Sequence, residues 1–142
     1  HINDIEEIIK FNQKKNKNVG NWTRYHNWIK GLKNKTFKQY GKNDPLHSSE
    51  WFGVFDHNKL VAFIQINFDG EISGMGFIFA LGGYYKYFCM HLLIINGIKY
   101  IFDNKKHVKL FNYGVTLDGA KRAGHLWKKK FGFEEYEIKI LK

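Results

Sequence analysis

The strongest constraint on the fold is the stretch FIFALGGYYKYFCMHLL at residues 77–93. Its first half alternates aromatic residues and predicts a buried strand, whereas the apolar run after Gly82 and Gly83 predicts a buried helix. A strand and a helix joined by a tight turn begin a parallel β-α-β crossover. The two glycines also uncover backbone N–H groups, so the turn is either a phosphate-binding site or a plain connection.

The periodicity of the first half of the chain predicts two helices and a three-stranded meander. One helix is expected to start near Asn3 and Glu6 and to end at about Gln13. Apolar residues at three- and four-residue spacing predict a second helix; they are Trp22, Tyr25, Trp28, Ile29 and Leu32. Residues 37–50 are polar and predict a loop. Strands are expected at 51–55, 60–68 and 71–80, with Asp69-Gly70 as a hairpin turn.

The second half of the chain predicts a crossover followed by another helix and strand. A helix is expected over 85–102, a strand over 108–113, and a further helix capped by Asp118 and ended by Gly132. Alternating residues over 136–140 predict a last, half-exposed strand. The expected order is α-α-β-β-β-α-β-α-β, an α+β fold in which helices cover a mixed sheet. At 142 residues, the chain fits a single domain over 1–142.

The composition limits the possible binding partners more than it limits the possible reaction. The net charge of +10 favours polyanions, which include nucleic acid, anionic membranes and phosphorylated small molecules, although a solvated face accounts for most of the lysines. Cys89 is the only cysteine, so it is expected to pack in a core, in a reducing, cytoplasmic setting. The N-terminal residues show no export signal. The apolar stretch 74–95 is broken by Gly82-Gly83, so we expect no membrane span.

The element order resembles that of the GNAT superfamily of acyl-CoA N-acyltransferases, with the family's first strand expected before His1. The family signature is a strand, the motif Q/R-x-x-G-x-G/A, and a helix with paired leucines. Aligning Leu92-Leu93 with those leucines places residues 77–79 on the family's fourth strand and 84–89 on the motif. Tyr84 then stands for Gln or Arg, and Tyr87 and Cys89 stand for the two small residues. The motif is therefore degenerate.

The C-terminal part carries a second resemblance. The segment LWKKKFGFEEYEI is similar to the helix-to-strand ending of many GNAT transferases, and the longer FNYGVTLDGAKRAGHLWKKKFGFE is similar to Fem-type aminoacyl and sugar-amine acyltransferases. In this alignment Ala120 stands where many members carry Asn, and Trp127 stands where many carry the Tyr that protonates the departing thiolate. Because an indole N–H does not ionise usefully, the proton must come from elsewhere or the chemistry is absent.

The resemblance implies a site for acetyl-CoA or another acyl-CoA between the splayed fourth and fifth strands. The residues expected to bind the carrier are Phe79, Ala80, Leu81, Gly82, Gly83, Tyr84, Tyr85 and Lys86. The pantetheine arm would lie between 77–81 and 111–114, and Lys86 would add charge near the phosphates. A continuous sheet with a plain turn predicts the same apolar residues, so this alternative stays open.

Transfer to an amine requires proton handling on the attacking nitrogen and on the leaving sulfur. Tyr113 is expected to be the proton donor, and Asp118 and Glu71 are further catalytic candidates. Asn112 and His125 are expected to contact substrate. Three of these residues have a structural alternative, since Glu71 follows a hairpin, Asp118 caps a helix and His125 belongs to an amphipathic helix. The sequence shows no spacing typical of metal ligands, of a nucleotide P-loop or of a serine nucleophile.

Three functions are compatible with these patterns. The first is an N-acyltransferase that acts on a primary amine of a small molecule, sugar or peptide, with aminoacyl-tRNA as an alternative acyl donor. The second is a basic module that binds nucleic acid through lysines interleaved with Trp22, Tyr25 and Trp28. The third is a GNAT-like domain that has lost its chemistry and binds a partner.

Overall fold

The computed structural model describes residues 1–15, 22–34, 44, 46–114 and 128–134. Helix α1 spans Ile2–Lys15 and α2 spans Trp22–Lys33. The sheet strands are β1 (His47–Asp56), β2 (Lys59–Asp69), β3 (Ile72–Ala80) and β4 (Leu110–Asn112). Helix α3, Cys89–Asn104, connects β3 to β4. Residues 128–130 are helical and precede Gly132.

The four strands form one mixed sheet in the order β1-β2-β3-β4. Strands β1, β2 and β3 are antiparallel neighbours, and β4 pairs in parallel with the beginning of β3. The expected meander and parallel crossover are therefore confirmed. Gly70 has a φ of 60°, as the Asp-Gly hairpin turn requires.

Helices cover both faces of the sheet. On one face, Ile8 and Ile9 of α1 and Ile29 of α2 pack with Phe63 of β2. On the other face, the buried residues of α3 pack against alternate residues of the same strand; they are Leu93, Ile94 and Ile101 against Ile64, Ile66 and Phe68. Strand β2 is thus buried on both sides, as a central strand should be.

Several expected boundaries were wrong. Helix α1 begins at Ile2 and continues to Lys15, because the carbonyl of His1 already accepts a hydrogen bond from the Ile5 N–H. Strand β1 begins at His47 instead of residue 51, because its polar start pairs with the end of β2. There the Ser49 hydroxyl donates to Asn67 Oδ1 over 2.7 Å. Polar sequence alone did not reveal this pairing.

The expected helix over 85–102 is instead two elements. Residues Gly82–Tyr87 form a 3-10 turn, Phe88 adopts a left-handed conformation with φ 55°, and α3 starts at Cys89. The expected strand over 108–113 is shorter, because the Val108 N–H bonds back to the Lys105 carbonyl in a turn. Gly132 terminates its helical turn as expected, with φ 77°. The expected strand at 136–140 and most of the preceding helix lie outside the described residues.

Helix α1 also packs against the segment Leu81–Phe88, which we call the corner. A Cβ added to Gly82 would lie 2.1 Å from the nearest ring carbon of Phe11, so the ring occupies the place of a side chain. A Cβ added to Gly83 would meet nothing within 4 Å. The two adjacent glycines therefore have different roles. Gly82 permits close packing, whereas Gly83 faces open space.

We expect Gly82→Ala to lower the free energy of unfolding by about 1–3 kcal/mol, because Phe11 must move away from its packed position. Gly83→Ala is the matched control and should stay within about 0.5 kcal/mol of the parent, as an unhindered surface change does. Urea denaturation of the three proteins measures both values. Equal destabilisation by the two substitutions would contradict the packing of Phe11 on Gly82.

Candidate functional site

The candidate site lies where β3 and β4 separate. Their parallel pairing covers only Ile72–Leu110, Ser73–Phe111 and Gly74–Asn112. Strand β3 continues to Ala80, whereas β4 ends at Asn112. Among the described residues, no strand pairs with β3 beyond Gly74 on the side away from β2. We call that side, from Met75 to Ala80, the open edge.

Local features at both strands favour the separation. Strand β3 carries a bulge at Gly76, because Phe77 pairs with Gln65 while Met75 pairs with the adjacent Ile66. A bulge bends its strand and increases the local twist. On β4, the Asn112 carboxamide oxygen accepts the Gly114 N–H over 2.7 Å, and Gly114 has φ 100°. The two strands thus change direction just after their last shared pair.

The beginning of β4, in contrast, is firmly attached. The Glu71 carbonyl accepts hydrogen bonds from the N–H groups of Lys109 and Leu110, at 2.8 and 3.2 Å. The buried Ser73 hydroxyl donates to the Leu110 carbonyl over 3.3 Å. The strands are therefore joined at one end of the sheet and apart at the other.

Strand geometry defines which backbone groups face the open edge. The Leu81 N–H donates to the Val61 carbonyl over 2.9 Å, so the N–H of residue 81 points toward β2. Because successive residues of a strand alternate, the N–H and C=O groups of Ile78 and Ala80 point away from β2. These are the groups that an additional strand-like partner would meet.

One of them is satisfied by a buried side chain from α1. Asn12 Nδ2 donates to the Ala80 carbonyl over 2.9 Å and to the Ile8 carbonyl over 2.8 Å. Asn12 Oδ1 accepts from the Tyr85 hydroxyl over 2.8 Å. Asn12 is only 4% exposed, so it joins α1, the end of β3 and the corner away from water. Sequence reasoning missed this residue, whose one available signal is a polar side chain among the isoleucines of α1.

The tyrosines of the corner point in different directions. The Tyr84 hydroxyl donates to Asp56 Oδ2 over 2.6 Å, and this hydrogen bond raises the tyrosine's pKa and lowers that of Asp56. Tyr85 turns toward Asn12, and burial raises its pKa. Tyr87 is 61% exposed. Hydrogen bonds therefore hold Tyr84 and Tyr85 against β1 and α1.

Two cations lie beside the corner. Lys86 Nζ is 4.9 Å from the centre of the Tyr87 ring, and Lys15 Nζ is 4.8 Å from the centre of the Tyr85 ring. Lys15 comes from the end of α1, 71 positions away from Lys86 along the chain, and sequence reasoning missed it. Just after them, α3 begins at Cys89, where the first N–H groups of a helix have no intrahelical partners. The positive end of the helix dipole adds to these two charges.

Phe79 belongs to the opposite face of β3 from Ala80. Its ring packs against Tyr25 at 5.2 Å and Trp22 at 5.9 Å, and Phe77 packs against Tyr25 at 5.0 Å. Leu81 is buried on the same face. The side chains of Phe77, Phe79 and Leu81 therefore pack under α2. Only the backbone of these residues, which were expected to contact the carrier, borders the open edge.

Tyr113 immediately follows the last pair of β4. Burial raises the pKa of its phenol to about 12. The ring packs against Phe133 at 5.1 Å, and Lys128 Nζ lies 5.0 Å from the ring centre. The phenol is thus protonated at neutral pH, in a partly buried environment to which Lys128 and Phe133 contribute.

Glu71 lies beside the start of β4 and does not lie near the corner. It precedes β3, whereas the corner follows it, and the nine residues of β3 span about 26 Å. Its exposed carboxylate forms an ion pair with Lys109. The structure thus separates Glu71 from the corner by the length of β3, and the catalytic role expected for Glu71 stays a prediction. Asp118 and His125 lie outside the described residues, as do Ala120 and Trp127.

Comparison with known proteins gives similarity at the level of structure. No family model and no curated protein sequence matches the chain. PaiA N-acetyltransferase from Thermoplasma acidophilum, solved with coenzyme A, is 14% identical and superposes with a TM-score of 0.60 over 97% of this chain and 88% of its own. A ribosomal-protein-alanine N-acetyltransferase from Brucella melitensis is 10% identical, with a TM-score of 0.53 over 99% and 94%.

The chain has the GNAT acetyltransferase fold. The expected fold class is thereby confirmed. A transcriptional regulator from Bacillus halodurans is also similar, at 11% identity and a TM-score of 0.60 over 99% of this chain and 94% of its own. Because one fold carries different functions, the activity must be argued from the site.

Two further properties of the described residues bear on the site. Within these ranges, no three His, Cys, Asp or Glu side chains converge as metal ligands would. None of the helices in the same ranges has the length and apolar character needed to cross a bilayer.

We expect Asn12→Ala to lower the free energy of unfolding by about 2–4 kcal/mol, because it leaves the Ala80 carbonyl and the Tyr85 hydroxyl without their buried partner. Asn96→Ala is the matched control, since Asn96 makes the same type of bond to the carbonyl four residues earlier but is exposed. The control should change stability by less than about 0.5 kcal/mol. Chemical denaturation compares them, and similar losses would contradict a buried role for Asn12.

The Tyr113 phenol should keep its proton up to about pH 11, since burial raises its pKa to about 12. NMR of ring-labelled tyrosine, with the signal assigned by Tyr113→Phe, tests this directly. Because the unfolded chain releases this proton near pH 10, the phenol's contribution to stability should be lost as the pH rises from about 10 to about 12. A Tyr113 signal that titrates near pH 10 would contradict the buried environment.

Proposed function

We propose that this chain is an N-acyltransferase that takes an acyl group from acetyl-CoA or another acyl-CoA and transfers it to a primary amine. The observation that carries the proposal is the separation of β3 and β4 after Gly74 and Asn112. It leaves an unpaired strand edge beside the start of a helix. The strand edge suits the pantetheine half of acyl-CoA, and the helix start suits its phosphates. The fold supports the same activity, and one similar structure contains coenzyme A.

The open edge suits the pantetheine arm. That arm carries amide groups along an extended chain, so it can pair with a strand edge as a peptide does. The backbone groups available to it belong to Ile78 and Ala80, except for the Ala80 carbonyl, which Asn12 occupies. The N–H groups of Ile78 and Ala80 and the carbonyl of Ile78 are therefore available to the amides of the arm.

The corner suits the phosphates. Gly83 presents backbone without a side chain, α3 contributes N–H groups and its positive dipole end, and Lys86 and Lys15 contribute charge. The ring of Phe11 covers Gly82, so we assign Gly82 a packing role and Gly83 the contact with phosphate. These groups take over the role of the small residues that the family motif has where this chain has Tyr87 and Cys89.

In the reaction, the amine nitrogen attacks the thioester carbonyl carbon, the carbon–sulfur bond breaks, the amine loses a proton and the sulfur gains one. Tyr113 is our candidate for the hydrogen-bond donor to the leaving sulfur. Full transfer from a phenol with a pKa of about 12 to a thiolate whose thiol has a pKa of about 8.5 costs about 5 kcal/mol. We therefore propose that Tyr113 stabilises the sulfur as a neutral donor and that solvent supplies the proton.

The remaining roles follow from position. Asn112 uses its side-chain oxygen to hold Gly114, so we propose that it shapes the mouth of the cleft next to the amine substrate. Asp118 and His125 stay candidates for a proton acceptor and a substrate contact. The net charge of +10 favours an acidic acceptor or an aminoacyl-tRNA donor over a cationic acceptor.

A binding module without chemistry is the second candidate. The observation that favours it is the degenerate phosphate motif, in which Tyr87 and Cys89 stand where the family carries small residues. The similar transcriptional regulator shows that this fold occurs outside enzymes described as acetyltransferases. Such a module would bind nucleic acid or another partner and would release no thiol from acetyl-CoA.

We expect CoA to bind the full chain and Gly83→Glu to weaken that binding at least tenfold, because the new carboxylate faces the phosphates. Gly83→Ala is the matched control and should bind CoA like the parent, since its Cβ meets no neighbour. Isothermal titration calorimetry measures the affinities, and thermal melting without ligand verifies that all three proteins are folded.

The outcomes separate the candidates. CoA binding that Gly83→Glu reduces, together with amine-dependent release of thiol from acetyl-CoA, supports the enzyme. CoA binding without thiol release for any of a panel of amines supports the binding module. Salt-sensitive binding of tRNA with no response to CoA would overturn the assignment of the corner.

A further inference from the structure

Helix α3 has an apolar surface on the side that faces away from the sheet. Phe88, at the N-cap, is 63% exposed, and Leu92, Ile95 and Phe102 are 49%, 55% and 55% exposed. Lys99 lies between the last two along the helix. We call these five residues the α3 stripe. Phe88 is also the last residue of the corner, but its side chain has no role in the site proposed above, and the other four residues lie outside that site.

The stripe occupies the centre of the outward face. At about 100° per residue, the four stripe positions within α3, from Leu92 to Phe102, fall within an arc of about 80°. The buried positions of α3, which include Leu93, Ile94, Gly97 and Ile101, lie on the opposite side. The helix is thus apolar on both sides, a property of helices that are buried by two partners. The sheet is one partner.

The spacing along the stripe indicates what the second partner is. Successive members are four, three, four and three residues apart, which is the spacing of a seam between two helices. The stripe is also nearly symmetric about Ile95, with one phenylalanine seven residues before it and another seven residues after it. A surface of this kind is complementary to itself when a two-fold axis passes beside its centre.

We propose that a second copy of this chain covers the stripe, with the two α3 helices antiparallel about Ile95. Ile95 then faces its own copy, Phe88 lies opposite the copy's Phe102, and Leu92 lies against the aliphatic part of the copy's Lys99. The Lys99 ammonium is bound to Asp103 of its own helix over 2.7 Å, so it stays at the rim while its stem is covered. This arrangement leaves no ammonium buried without a partner.

The size of the stripe determines the expected strength. A phenylalanine side chain buries about 150–250 Å² and a leucine or isoleucine less, so the exposed parts of Phe88, Phe102, Leu92 and Ile95 provide at most about 400 Å² per copy. A stable interface of standard size buries about 800 Å² per partner. We therefore expect a reversible dimer with a micromolar dissociation constant. The proposal does not depend on acyl transfer, because four of the five stripe residues lie outside the proposed site and the side chain of Phe88 has no role in it.

Sedimentation velocity of the full chain from about 1 to 300 μM tests the dimer. We expect the mass to rise toward two copies, and Ile95→Glu to raise the dissociation constant at least tenfold by placing two carboxylates at the axis. Leu110→Glu is the control, because Leu110 is an equally exposed apolar residue of β4, away from α3. Circular dichroism verifies that both variants keep the parent's fold.

Cysteine cross-linking tests the arrangement. In a Cys89→Ser background, Ile95→Cys should form a disulfide-linked dimer on mild oxidation, whereas Leu92→Cys should not, because it faces Lys99. Efficient cross-linking of both would overturn the antiparallel arrangement. A monomer at every concentration, or a dimer that Ile95→Glu leaves intact, would overturn the proposal itself. A monomer whose stripe instead binds phospholipid vesicles would overturn it in favour of a membrane surface.

Discussion

The central constraint on this structure is that, within the described residues, the last part of β3 has a sheet partner on one side only. The ladder to β4 contains three residue pairs, and β3 continues for six residues beyond it. Backbone N–H and C=O groups are costly to leave without partners away from water. The protein satisfies one of them, the Ala80 carbonyl, with the buried amide of Asn12. The other groups face the open edge, where the amide groups of a ligand can form hydrogen bonds with them.

The same constraint connects stability to function. Helix α1 contributes Phe11, which packs on Gly82, and Asn12, which bonds to Ala80 and Tyr85. The geometry of the proposed phosphate site is thus set by a helix nearly seventy residues earlier in the chain. Because these contacts are buried and specific, the corner has its shape before any ligand binds. Preorganisation of this kind lowers the entropic cost of binding.

Local sequence patterns predicted much of the fold. Asp69-Gly70 located a hairpin, the three- and four-residue spacing located α2, and the glycine pair located the end of β3. These features depend on neighbours along the chain, so a pattern can reveal them. The sequence also contained the signal that separates Glu71 from the corner, because the two lie at opposite ends of one strand.

The site was harder to predict, because its decisive contacts are long-range or conformational. The hydrogen bond from Asn12 to Ala80 spans 68 residues, and no periodicity in the sequence indicates it. The left-handed conformation of Phe88 divides an apolar run that predicts one helix, and aromatic residues rarely adopt that conformation. The point at which β4 leaves β3 depends on Gly76 and Gly114, whose effects appear only once the strands are paired.

Hydrogen exchange of backbone amides, measured by NMR with and without CoA, tests the open edge most directly. We expect the amides of Ile78 and Ala80 to exchange rapidly in the unliganded protein and their exchange rates to fall strongly with CoA. The amides of Phe77 and Phe79, which point toward β2, should be protected in both states. Slow exchange of Ile78 and Ala80 without ligand, unchanged by CoA, would show that this edge is already closed and would contradict the account.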